Sequence, residues 1–150
     1  MTNFQRTADW LKACGKQAGN VEQASVQIGC DLEETAELIR CLRVDSDGGQ
    51  LILDRTVADL EWLAGKIKRG EYNAHIPIHL RADALDALCD REVTGNGVAY
   101  LCGMNKEAAD QAVLAANDAK LVDGKPVFVE GTSKIGKPEG WKPADLSSFV

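Results

Sequence analysis

Three glutamates, Glu33, Glu34 and Glu37, are the residues whose type and spacing best suit chemistry. On a helix advancing about 100° per residue, they fall within an arc of about 100° on one side. Leu32, Ala36 and Ile39 occupy the other side. Three carboxylates this close repel one another unless water or a cation screens them. For an isolated E-E-x-x-E run, a solvated helix face is the ordinary reading.

A second acidic row changes that balance. Asp83, Asp86 and Asp90 stand at i, i+3 and i+7, within an arc of about 60° on a helix. Aspartate is a weak helix-interior residue, so three on one stripe beside Leu85 and Leu88 do not serve helix stability. Thr94 and Gly97 continue the stripe and leave room for something to approach. Antiparallel helices with facing carboxylates make an oxygen-rich site for Mg²⁺, with Mn²⁺ as the alternative. Such ions activate water and neutralise the charge of a phosphoryl transition state.

The stretch EETAE at 33–37, followed by an acidic helix, resembles the MazG-like all-α nucleoside triphosphate pyrophosphohydrolases, whose pattern is E-E-x-x-E on one helix and E-x-x-D on the next. The similarity continues downstream: ALCDREVTGNGVAYLCG looks like the family's second metal helix, and VLAANDAKL resembles its A-N-x-S-K stretch. GKPEGWKPADL resembles the terminal motif of the all-α dUTPase-like members, and FQRTADWLKACG is similar to the opening helix. Together these cover most of the chain except roughly residues 44–79. Two positions depart from the pattern. Ala87 stands where the second motif has glutamate, and Asp86, sharing a helix face with Asp90, takes its place. Ala119 replaces the serine before Lys120.

The resemblance implies that Glu33, Glu34, Glu37 and Asp90 are metal ligands or the carboxylates that orient the attacking water, with Glu33 and Glu37 catalytic. It assigns Asn117 and Lys120 to the nucleotide. The chemistry agrees, since lysine neutralises triphosphate charge and asparagine bonds sugar or base. Lys134 and Lys137 are read as further phosphate contacts, beside the plainer reading of solvated tail lysines. The implied reaction is hydrolysis of a nucleoside triphosphate, such as the deoxynucleotide dUTP, to monophosphate and pyrophosphate. The alternative, kept open by Ala87, is a metal- or nucleotide-binding module without turnover. A purely structural helical protein would make both acidic rows coincidence. The resemblance implies dimers or tetramers, and apolar residues on more than one face of the second and fourth helices fit at least a homodimer.

These residues need helices to position them, and the periodicity supplies five candidates. Phe4–Cys14 carries one apolar face and ends at Gly15. The run LEETAELIRCLRV follows Asp31, with acids early and arginines late, while Asn20 or Ser25 could cap a turn before it. Asp45–Gly49 reads as a break, and a third helix is expected from about Thr56 to Arg69. A long helix is expected from about Leu80 to Cys102, although Gly95 and Gly97 weaken its propensity. A last one spans about Lys106 to Asn117. Val127–Val129 reads as one short strand, and Trp141, Leu146 and Phe149 give the tail something to bury. The expected architecture is a single domain over 1–150, an all-α bundle of four or five helices with an extended C-terminal tail.

The remaining signals are weaker. DSDGG lacks the glycine and glutamate positions of a calcium loop. His75 and His79 have no partner at metal spacing, Trp141 reads as a tail anchor, and Lys66, Lys68 and Arg69 as a charged helix end. The five cysteines form no C-x-x-C pair and are read as reduced, mostly half-buried residues. A net charge of −6 argues against binding a nucleic-acid polymer. No signal-peptide core or membrane-length apolar run stands out, so a cytoplasmic location is expected.

Overall fold

The computed structural model describes residues 1–129 and 135–150. Among the described residues five α-helices carry the chain: α1 (Asn3–Ala13), α2 (Val21–Arg40), α3 (Asp47–Lys68), α4 (Arg81–Leu101) and α5 (Lys106–Asp118). A two-stranded antiparallel hairpin, β1 (Leu121–Val122) and β2 (Lys125–Pro126), follows. The protein is therefore all-α, as expected. No helix is long and apolar enough to cross a membrane among the described residues. The chain divides into two compact units, one of residues 18–78 and one of residues 1–17 with 79–150.

The unit of residues 18–78 is built on α2 and α3. Small residues on one stripe of α2 (Ser25, Gly29 and Ala36) are buried, and Val57, Ala64 and Ile67 are buried from α3. Gly29 marks the closest approach. A Cβ there would lie 3.1 Å from Ile67 Cγ2 and 3.3 Å from the Ala64 carbonyl oxygen. Ser25 takes a polar role in this core, its hydroxyl accepting from the Ala74 backbone N–H at 2.9 Å.

Two expectations for this unit are corrected. The second helix begins at Val21 rather than after Asp31, and Asn20 caps it by accepting from Gln23 N–H. The third begins at Asp47, well before Thr56, because Ser46 caps it and the glycines of DSDGG sit in its first turn. That segment is a helix start, not a calcium loop.

In the other unit, α5 is the organising element. Trp10 of α1 donates its indole N–H to the Asn117 carbonyl at 2.9 Å, and Trp141 of the tail donates to the Ala116 carbonyl at 2.7 Å. Both acceptors belong to the last turn of α5, where carbonyls lack the usual i+4 partner, and the Asn117 carbonyl also accepts from the Lys120 backbone N–H at 3.0 Å. Two tryptophans from opposite ends of the chain thus satisfy one helix terminus. Arg6 adds an ion pair to Asp118 at 2.6 Å, and the Phe149 carbonyl accepts from Asn105 N–H at 2.7 Å at the start of α5. The expected strand at Val127–Val129 is replaced by the β1–β2 hairpin and a single bridge between Phe128 and Ile135. Asp123 and Gly124 make its turn, both with positive φ, the geometry that a two-residue Asp-Gly loop favours.

By contrast, α4 is poorly covered, with Ala99 its only buried residue. Leu85, Leu88, Val93, Val98, Tyr100 and Leu101 are exposed, Tyr100 by 82% and Leu101 by 83%. They spread over more than half of the helix circumference.

Candidate functional site

The predicted residues fall into an α2 carboxylate group, an α4 aspartate row and a lysine cluster at the end of α5. On α2, Glu33 borders the buried stripe of Gly29 and Ala36, and its carboxylate meets Lys68 of α3 at 2.5 Å. Close helix packing at Gly29 lays the Lys68 stem against α2, which brings its ammonium to Glu33. Glu37, one turn on, is exposed, and among the described residues no ion pair engages its carboxylate. Glu34 is exposed about 100° round the helix from Glu33. At the far end of the pair, Arg40 bonds Glu61 of α3. The expected basic helix end resolves into separate partnerships, with Lys66 and Arg69 both bonded to Glu71.

Asp83, Asp86 and Asp90 lie on α4, all exposed, and so in the other unit from the α2 glutamates. Thr94 directs its hydroxyl to the Asp90 carbonyl at 2.8 Å. Among the described residues, no group of three or more His, Cys, Asp or Glu side chains is gathered to hold a metal. The oxygen donors have the right chemistry for a hard divalent cation, which takes six or more oxygens. The α2 carboxylates supply only part of such a shell, and a cation at Glu33 competes with Lys68.

The lysine cluster is the part the fold does assemble. Lys120 donates to the Asn117 side-chain oxygen at 2.8 Å, leaving the Asn117 amide nitrogen as a donor. The Lys120 ammonium lies 5.1 Å from the Trp141 ring centroid, and the Lys137 ammonium 4.9 Å from it. The negative end of the α5 dipole favours cations here. Lys134 lies outside the described residues. Trp141 does anchor the tail, but its contact with both lysines was not foreseen. The W-K spacing of the tail carries no helical or strand period that would signal it. Cys14 is buried, and burial raises its thiol pKa against the opposing fields of Lys16 and Lys120.

A separate cleft of about 390 Å³ lies between α1, α4 and α5, lined by Asn3, Glu92, Asn96, Tyr100, Lys106 and Asp110 among others. It holds none of the predicted residues.

No protein-family profile, no curated protein and no solved structure matches this chain.

Proposed function

We propose that the protein is a metal-dependent nucleoside triphosphate pyrophosphohydrolase. The observation that carries this reading is the gathering of Asn117, Lys120 and Lys137 around Trp141 at one end of α5. These residues, which the reading assigns to polyphosphate and nucleoside, come from two separate stretches of sequence and lie close together at the end of α5. The exposed glutamates of α2 supply the other chemistry the reaction needs.

In this reading Glu33, Glu34 and Glu37 of α2 are the oxygen donors for Mg²⁺ or Mn²⁺, and Asp86 and Asp90 of α4 are proposed as donors on the sequence pattern alone. When bound, the cation neutralises charge on the phosphates. Glu37, whose carboxylate is exposed and engaged by no cation among the described residues, orients a water and takes its proton. The water attacks the α-phosphorus, the α–β bridge breaks, and pyrophosphate leaves. Lys120 and Lys137 offset the charge of the triphosphate, and the Asn117 amide bonds the sugar or base. No covalent intermediate is needed. The similarity of GKPEGWKPADL to dUTPase-like tails favours a deoxynucleotide. The working form is a homodimer or homotetramer, since the large apolar side chains that α4 leaves exposed call for burial.

The test is to incubate the purified protein with Mg²⁺ and each nucleoside triphosphate and separate the products. Monophosphate with pyrophosphate is the expected result. Diphosphate with orthophosphate would assign a different cleavage, and tight binding without turnover would favour a binding module on the same fold.

A further inference from the structure

We propose that Trp141 is a positioning residue: its ring holds Lys120 and Lys137 as a two-lysine clamp for a linear polyphosphate. The choice of ligand rests on the hydrolase reading; the clamp itself rests on geometry. Both ammonium groups lie within about 5 Å of one ring centroid, so about 10 Å at most separates them, a span a triphosphate can bridge. Two cations this close repel each other. Three features hold them there. The ring attracts each ammonium through its quadrupole. The Asn117 side chain accepts from Lys120, and the carbonyl end of α5 favours positive charge. Among the described residues no carboxylate pairs with Lys137, so an arriving anion does not have to break an ion pair at that side chain.

The ring is fixed in turn. Its indole N–H is bonded to the Ala116 carbonyl at 2.7 Å, and the Trp141 backbone N–H donates to the Pro138 carbonyl at 3.0 Å. That turn sits next to Lys137. The tail therefore does more than cover α5: it sets where the two charges stand before ligand arrives, and preorganisation lowers the entropy lost on binding.

The experiment is calorimetric titration of inorganic tripolyphosphate into the full chain, with chelator present so that no divalent metal contributes. Wild type is expected to bind saturably. Trp141→Leu weakens binding about tenfold and Trp141→Phe, which keeps an aromatic face, recovers most of it. Lys137→Gln weakens binding in the wild-type background but costs little more in Trp141→Leu, because interacting residues are non-additive. Lys120→Gln and Lys137→Gln leave the ring intact, so they test the clamp even if Trp141→Leu fails to fold. Undiminished affinity in both lysine variants overturns the proposal, as does absence of saturable binding by wild type. Equal cost of Lys137→Gln in both Trp141 backgrounds also overturns it. A nucleoside triphosphate arm separates sources: tighter binding than tripolyphosphate adds the nucleoside contact to the clamp. Saturable, Trp141-dependent tripolyphosphate binding without nucleotide turnover would leave the clamp standing while the hydrolase reading fails.

Discussion

At the residue scale, environment separates side chains that the sequence makes look alike. Glu33, Glu34 and Glu37 share one motif, yet Glu33 is tied to Lys68 while Glu37 faces solvent. Close packing at Gly29 lays the Lys68 stem against α2 and brings its ammonium to Glu33. The five cysteines separate in the same way. Sequence reading expects mostly half-buried thiols, but Cys41, Cys89 and Cys102 are exposed, Cys30 is intermediate and Cys14 is buried. Burial raises the Cys14 pKa, so its thiolate fraction at neutral pH is depressed and it reacts slowly. Timed alkylation read by mass spectrometry should modify the three exposed cysteines first and Cys14 last. Early modification of Cys14 would contradict the packing of α1 described above.

At the element scale, the helices were legible where apolar residues recur at helical spacing, as in α1 and α5. Their starts were less so, because a cap is a local hydrogen bond that competes with other turn signals. DSDGG reads as a break, yet Ser46 uses it to begin α3. The Asp123-Gly124 turn is a recognised hairpin signal, but its strands of two residues each are too short for alternation to register. The residues of the candidate site, Asn117, Lys120 and Lys137, were legible through the VLAANDAKL and GKPEGWKPADL stretches. Trp141's pairing with both lysines was not, because docking of the tail on α5 is a tertiary event. The α2–α3 pair gives a direct test. Gly29→Val pushes a side chain against Ile67 and the Ala64 carbonyl and should destabilise by about 1–3 kcal/mol. Urea unfolding would show a lower midpoint with similar slope; an unchanged or higher midpoint would refute close packing there.

At the scale of the whole molecule, the exposed apolar surface of α4 bears on assembly. A second copy is the proposed cover, and the residues to disrupt are Leu85 and Leu101, exposed by 63% and 83%. Sedimentation equilibrium should return a multiple of the 16.2 kDa chain mass for wild type and a smaller species for Leu85→Asp/Leu101→Asp. A monomeric wild type would remove the oligomer from the proposal. The central claim concerns the α2 carboxylates, and one comparison tests it most directly. Wild type and Glu37→Gln are incubated side by side with Mg²⁺ and nucleoside triphosphate, with circular dichroism confirming equal helix content. Wild type should release monophosphate and pyrophosphate, and Glu37→Gln should release neither. Undiminished turnover in Glu37→Gln would contradict the assignment of α2 as the catalytic helix.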